Sequence, residues 1–464
     1  MIEDRIPLFI RDCNPYETID PTDRRWVDLD KNGVRGDISS TDELLAKVLE
    51  ADKAGENASI LFSGFSGGGK STILRQVRNR LIEEKFDVLL IDSEDFFSLD
   101  MPVETYEVLL TIAGALDERI EWPDKEKQGW WSRWANFLTS NVVVANVKFN
   151  VPLVGEFQGE IKKNPEWREA LQEMIERQQK QRPIVELCRG FISEAIAAWR
   201  DQHRGRRGLA IIFDSLEKLR GSEASKIRKS IVNVFHRFGP DLNLPCHTIY
   251  SIPPWLRFTK TWNTINGRFS AFVQLSMIMV SKKEQNREAL EKGMGRIRAL
   301  IETRVPIRDI WGDMAHRHLD DLAATCGGYP RDALLLIRNV LSDWRSVIYP
   351  DLAPEPRLAR IFDRAFAQLC EQYDTSLWKP DGEMLSAIED SFDVPLGDEP
   401  GVTGESEDSL DDRRIARLAE LFDNHFVICY RNGGGSWCDV HPILRKRSDR
   451  YQRIKAELRA RHGG

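Results

Sequence analysis

Residues 59–77 read SILFSGFSGGGKSTILRQV, and this stretch constrains the chain more than any other. The apolar run at 59–62 predicts a short buried parallel strand. Ile73, Leu74, Val77 and Leu81 recur at helical spacing and predict a helix after it. Between the two, Gly64-Phe-Ser-Gly-Gly-Gly69-Lys70-Ser71 satisfies G-x-x-x-x-G-K-[ST] at every fixed position. Gly64, Gly67, Gly68 and Gly69 let successive backbone N–H groups curl round an anion, and the helix N-terminus adds favourable partial charge. Lys70 is then expected to reach the β- and γ-phosphates of a nucleotide. Ser71 is expected to ligate Mg²⁺, with Thr72 beside it.

Phosphoryl chemistry also needs a metal-holding acid and a group that orients water. The segment GLAIIFDSLEKLRG at 208–221 supplies candidates. Its apolar run reads as a buried strand with Asp214 at the C-terminal end, where ligands bind in open α/β sheets. Asp214 is assigned to Mg²⁺ through water. Ser215 follows it, and Glu217 is either the water-orienting base or a solvent-facing residue of a first helical turn. A further strand at 87–92 ends in Asp92-Ser-Glu94, which makes Asp92 or Glu94 a reserve base.

In this order these features resemble the AAA+ ATPases, nearest the initiator and STAND branch. Val34-Arg35-Gly36 looks like that family's adenine-side box, which implies a nucleotide-binding role for Arg35. The helix after it is expected to carry a capping box, Ser40-x-x-Glu43, and an apolar face of Leu44, Leu45, Val48 and Leu49. CHTIYSIPPWL reads as a fourth strand, where the family places a polar sensor; Ser251 is the first choice and Tyr250 the alternative. FVQLSMIMV at 272–280 reads as a fifth strand. LAATCGGYPRDALLLIRNVL at 322–341 is similar to the family's lid motif, in which Arg331 reports the terminal phosphate. Its bland alternative is a surface arginine paired with Asp332 or Asp320. An arginine finger from a neighbouring subunit is also implied, with Arg268, Arg257 and Arg237 as candidates.

The expected fold is α/β: a parallel-sheet P-loop NTPase core (1–95 and 206–285), a large insertion (96–205), a helical lid (286–350) and a winged-helix-like C-terminal region (351–464). The insertion holds Trp130 and Trp134 one turn apart, a half-buried strand pattern from Val143 to Leu153, and helices broken at Pro183. Residues 389–412 carry ten acidic residues and no Lys or Arg, which reads as an exposed loop. Residues 414–422 read as a helix, and FVICYRNGGGSWCDVHP as a hairpin round an Asn-Gly turn. Arg445, Lys446, Arg447, Arg450, Arg453 and Lys455 form a basic tail helix, for phosphate backbones or for the acidic loop.

A net charge of −7 argues against a uniformly basic nucleic-acid coat. No run of eighteen apolar residues predicts a membrane span, and no apolar signal region opens the chain. The seven cysteines (Cys13, Cys188, Cys246, Cys326, Cys370, Cys429 and Cys438) are scattered and odd in number, which reads as reduced thiols in a cytoplasmic protein. His425, Cys429, Cys438 and His441 have zinc-like spacing, but Cys429 lies in an apolar strand and no zinc is expected. The resemblance implies an ATPase with ATP and Mg²⁺, acting as a switch on a partner protein or assembly, its own oligomer included, in settings such as prokaryotic antiviral defence. The alternatives are a DNA-associated initiator or loader, using the wing and basic tail, and a small-molecule kinase.

Overall fold

The computed structural model describes residues 3–96, 101–122, 181–219, 224–395, 407–433 and 435–462. The Trp130/Trp134 pair and the strand pattern from Val143 to Leu153 lie outside the described residues. The chain divides into two compact units. One comprises Met1–Glu43, Gly64–Gln76 and Gln274–Gly464, and the other Leu44–Ser63 and Val77–Val273.

A five-stranded sheet is built from β1 (Ser59–Gly64), β2 (Asp87–Asp92), β3 (Leu209–Asp214), β4 (His247–Ile252) and β5 (Ala271–Leu275), in the order β2-β3-β4-β1-β5. The pairings of β2 with β3, β3 with β4 and β4 with β1 are parallel. This is the α/β architecture of a P-loop NTPase core. Every residue of β1, β3 and β4 is buried, which is why residues 60–62 and 209–213 read as continuous apolar runs and not as alternation; β4 buries His247, Thr248 and Ser251 as well. Each buried Ile, Leu or Phe contributes about 1.5–3 kcal/mol by leaving water. Asp92 stands opposite Asp214, and Phe213 opposite Tyr250, so β2, β3 and β4 end along one edge.

Helices Thr105–Asp117 and Gln181–Gln202 pack against each other in the sheet-containing unit. Pro183 sits in the first turn of the second helix, and Ile184, Cys188, Phe191, Ile192 and Trp199 form its buried stripe; Leu187 is only half-buried.

The other unit is mainly helical: Glu291–Glu302, Ala315–Thr325, Pro330–Arg345, Pro354–Ser376, Lys379–Ser391 and Glu407–Asp423, then the hairpin β6 (Val427–Asn432) and β7 (Gly435–Val440), then Pro442–Arg447 and Asp449–His462. The glycine pair before Pro330 has a steric cause. Gly328 has φ +76°, and a Cβ there would fall 1.8 Å from the Ile278 carbonyl oxygen.

Several expectations are corrected here. The strand expected over 272–280 leaves the sheet after Leu275, because the backbone beyond it finds other partners. Met277 N–H donates to the Cys429 carbonyl, Ile278 to Gly328 and Met279 to Val34. The helix Ser40–Lys53 is capped by Ser39, which accepts from the Asp42 N–H at 3.1 Å; Glu43 is turned to Arg431 instead. The acidic stretch 389–412 is not a loop at either end: it is helical to Ser391 and again from Glu407. Asn432 belongs to β6 and pairs with Gly435, so it lies in a strand and not in the expected Asn-Gly turn.

That register puts Cys429 directly across from Cys438, Cα atoms 4.1 Å apart, and the two are joined as a disulfide. The expectation of seven reduced thiols is therefore wrong for this pair. The cause is a tight turn that aligns two side chains a residue count does not connect. Both sulfurs are spent on each other, while the His441 imidazole Nδ1 accepts from the Ile443 N–H.

The basic tail also differs from expectation. It is two short helices whose cations are largely engaged within the fold: Arg445 with Asp439 at 3.3 Å, Arg447 with Asp321 at 2.6 Å and Lys455 with Glu389 at 2.8 Å. No helix among the described residues is long and apolar enough to cross a membrane.

Candidate phosphate loop and carboxylate cluster

The glycine loop occupies the turn from β1 into the helix Lys70–Glu83. Gly67 has φ +75° and Gly69 φ +99°, conformations that only glycine adopts without strain. Lys70 is buried, and its ammonium donates to the Phe65 carbonyl at 3.3 Å, across the loop it closes. Ser71 and Thr72 begin the helix and are half-buried.

Three side chains from distant parts of the sequence brace this loop. Arg35 is buried and donates to the Gly68 carbonyl at 2.8 Å. Its Nε lies 3.6 Å from Asp30, whose other oxygen accepts from the Ser40 N–H at 3.0 Å. Burial pushes the Arg35 pKa down and the Asp30 pKa up, and each charge opposes the other's shift. The Tyr329 hydroxyl donates to the Ser66 carbonyl at 2.6 Å. Arg331 reaches the same place. Its Nη2 is 3.4 Å from the Ser66 hydroxyl, and its guanidinium carbon lies 5.3 Å from the centre of the Tyr16 ring.

A Cβ on Gly67 would fall 2.4 Å from Arg331 Nε and 2.6 Å from the Tyr329 hydroxyl. Arg331 Nε is buried there without a hydrogen-bond partner among the described residues. Asp332 and Asp320, the alternative partners for Arg331, are engaged elsewhere. Asp332 accepts from Tyr373 at 2.8 Å, and Asp320 pairs with Arg298. Sequence reasoning reached Arg331 but missed Tyr329; the adjoining Pro330-Arg331 motif was its only signal.

In the sheet-containing unit, a carboxylate cluster sits where β2, β3 and β4 end. Asp214 closes β3 and is buried. Ser215 takes φ +73°, left-handed for a non-glycine residue, and its N–H donates to Asp214 Oδ1 at 2.7 Å. That turn carries Glu217 inward. It is buried in the short 3₁₀ turn Leu216–Lys218, not solvent-facing, and accepts from the Ser251 hydroxyl at 2.8 Å. Tyr250, the alternative to Ser251, donates to the Leu242 carbonyl at 2.8 Å.

The reserve bases are occupied. Glu94 is ion-paired with Lys218, and Asp92 accepts from the Glu94 N–H at 3.1 Å. Burial pulls the Lys218 pKa down, but its hydrogen bond to Glu94 and the charges of Glu217, Glu94 and Asp92 raise it overall. The three finger candidates lie in the same unit. Arg237 is exposed over the Phe238 ring and Arg257 is half-buried over Phe258; the Arg268 carbonyl accepts from Asn243.

The loop's residues fit an anionic, phosphate-bearing ligand: left-handed glycines, a buried lysine, and a guanidinium whose Nε is left over beside Gly67. Taken singly, the Ser71 hydroxyl and the Asp214 carboxylate are oxygen donors of the kind Mg²⁺ takes.

No protein-family model matches the chain, and no curated protein does. Among solved structures, it is similar to a Walker-type ATPase of Pyrococcus abyssi, at 12% identity and TM-score 0.39, covering 90% of this chain and 98% of that one. It is similar to the Aeropyrum pernix ORC1 protein in complex with DNA, at 15% identity and TM-score 0.34, covering 94% and 98%. It is also similar to the Thermotoga maritima RuvB Holliday junction branch migration motor, at 13% identity and TM-score 0.30, covering 87% and 92%. At such identities and TM-scores these likenesses say nothing of activity or partner. The sheet order and the loop stand on their own geometry.

Proposed function

We propose that this chain is a P-loop ATPase of the AAA+ kind, on the initiator or STAND-like side, which binds and hydrolyses ATP as a switch on a partner protein or assembly. The observation that carries the reading is the crown of the glycine loop, where Tyr329 and Arg331 meet Ser66 and Gly67. A residue of the expected lid motif thus stands where the loop's main-chain amides turn. In this reading Gly64, Gly67, Gly68, Gly69, Lys70, Ser71 and Thr72 hold the triphosphate, and Arg35 keeps the loop in shape. Arg331 reports the terminal phosphate. Bound Mg²⁺, held by Ser71 and, through water, by Asp214, would supply charge neutralisation on the phosphates. Glu217, oriented by Ser251, would take the proton of the attacking water.

The four-part division into core, insertion, lid and winged-helix-like region belongs to the same proposal, as does a role in antiviral defence. Self-assembly would make one of the three arginines a finger. The alternative, a loader that grips duplex DNA through the basic tail, is weakened because Arg445, Arg447 and Lys455 are paired within the fold.

Product analysis tests the reading. Purified chain with Mg-ATP is expected to release ADP and free phosphate, and Lys70→Ala to abolish nucleotide binding. Size measurement with and without ATP reads assembly. Failure to take up any adenine nucleotide would end the proposal, and a phosphorylated acceptor in place of free phosphate would make the chain a kinase.

A further inference from the structure

A cavity lies at the opposite end of the sheet from Asp214 and Ser251, where β1, β3 and β4 begin. It measures about 410 Å³, within the roughly 300–1,000 Å³ typical of small-molecule sites. Its walls come from the turn before β1, from the last turn of the helix Gln181–Gln202 with the loop after it, and from Cys246-His247 at the start of β4.

The cavity is rich in guanidinium. Arg200, Arg204, Arg206 and Arg207 all line it, against Asp52 and Glu56. Local pairing cancels only part of this charge. Arg207 binds Asp52 at 2.6 Å and Glu84 at 3.3 Å. Arg200 donates to a neutral acceptor, the Pro245 carbonyl, at 2.6 Å. Arg204 is 3.6 Å from Asp201, and both are more than 80% exposed, so water screens that pair. The Arg206 side chain has no ion pair or hydrogen bond among the described residues and is exposed.

One wall is flat and held in place. The His203 ring stacks on Trp199, centroids 5.2 Å apart and planes 10° apart, and its Nδ1 is 3.0 Å from the Trp199 carbonyl. Trp199 is itself anchored by its indole N–H on Asp87 at 2.8 Å. His247 is fixed too: its Nδ1 accepts from the Ala58 N–H at 3.0 Å, which leaves the ring's proton on Nε2, 3.8 Å from Asp52.

The geometry points to a second ligand site here, for a phosphomonoester of nucleotide size, its phosphate gripped by Arg200, Arg204 and Arg206 and its organic part against the His203 ring. A phosphate dianion offers three terminal oxygens to three forked donors, where a carboxylate offers two. A free nucleotide and the 5′-phosphate end of a nucleic acid share this chemistry.

Calorimetric titration of the full chain tests it. The ligands are adenosine 5′-monophosphate, a 5′-phosphorylated oligonucleotide, and the same oligonucleotide without its phosphate. The proteins are the unsubstituted chain, Arg204→Ala/Arg206→Ala and Lys70→Met. Both arginines are exposed, so their removal leaves the fold alone. At least one phosphorylated ligand is expected to bind with one equivalent, weakened about tenfold or more in the double-arginine variant and kept in Lys70→Met. Which ligand binds identifies the source. Three results would each overturn the site: no binding by either phosphorylated ligand, binding unchanged in Arg204→Ala/Arg206→Ala, or equal binding of the oligonucleotide lacking the phosphate.

Discussion

The hydroxyl of Tyr329 donates to the carbonyl oxygen of Ser66 at 2.6 Å, so the residue before the helix Pro330–Arg345 is tied to the crown of the glycine loop. The tyrosine ring packs 4.8 Å from His425, and the phenol is buried. This bond ties down a main-chain carbonyl of the loop.

Tyr329→Phe removes that bond and keeps the ring. A neutral hydrogen bond contributes about 0.5–1.5 kcal/mol net, so affinity for a fluorescent ATP analogue is expected to fall about two- to tenfold. Unchanged affinity would show that the tie does not shape the loop.

Gly67→Ala meets two costs. A left-handed alanine costs about 1–2 kcal/mol, and its Cβ would displace Arg331 and Tyr329. Nucleotide affinity is expected to fall at least about tenfold. The same substitution made in an Arg331→Ala background is expected to lose less, because one of the colliding side chains is gone. Equal losses in the two backgrounds would mean that Arg331 does not sit against Gly67 in solution.

Glu217→Gln preserves the shape of a buried residue that accepts from Ser251. Nucleotide binding is expected to persist while single-turnover phosphate release slows about a hundredfold or more. Ser251→Ala is expected to slow turnover less, since it leaves the carboxylate present and only unorients it. A Glu217→Gln rate equal to the parent's would move the base elsewhere.

Asp332 and His441 are buried within 3.4 Å of each other, with Tyr373 donating to the same carboxylate oxygen. Burial pushes Asp332 up to about 7 from its ordinary 3.8, and pushes His441 down to about 3 from its ordinary 6.5. For Asp332 the folded chain holds the extra proton between these values, so its contribution to stability falls as pH rises from about 4 to 7. For His441 the unfolded chain holds the extra proton, so its contribution rises with pH from about 3 to 6.5. The two oppose each other over their shared window. Asp332→Asn is expected to leave the rising slope and His441→Gln the falling one, read as melting temperature from pH 4 to 6.5. Parallel profiles in the parent and both variants would refute the assignment.

Much of the fold was legible because it rests on local signals. The strands at 59–64, 87–92 and 209–214 centre on the apolar runs 60–62, 88–91 and 209–213, and the mixed strand at 247–252 is marked by the two prolines that follow it. The helix after the loop, the lid-motif helix and the hairpin are likewise written in periodicity and turn residues. Boundaries were less legible. Leu275 ends β5 because residues 277–279 hydrogen-bond to Cys429, Gly328 and Val34, and no local pattern announces partners so distant in the chain.

Chain order alone determined that a glycine loop ending in Lys70 and Ser71 joins a buried strand to a helix. Steric limits on φ and the spacing of apolar residues act within a few positions, so they can be read locally. Tertiary structure decided that Arg35, Tyr329 and Arg331 converge on that loop, that Glu217 is buried against Ser251, and that Cys429 is bonded to Cys438. Those relationships depend on packing between segments up to roughly three hundred residues apart, where the chain's own entropy gives no preference until the whole core has closed.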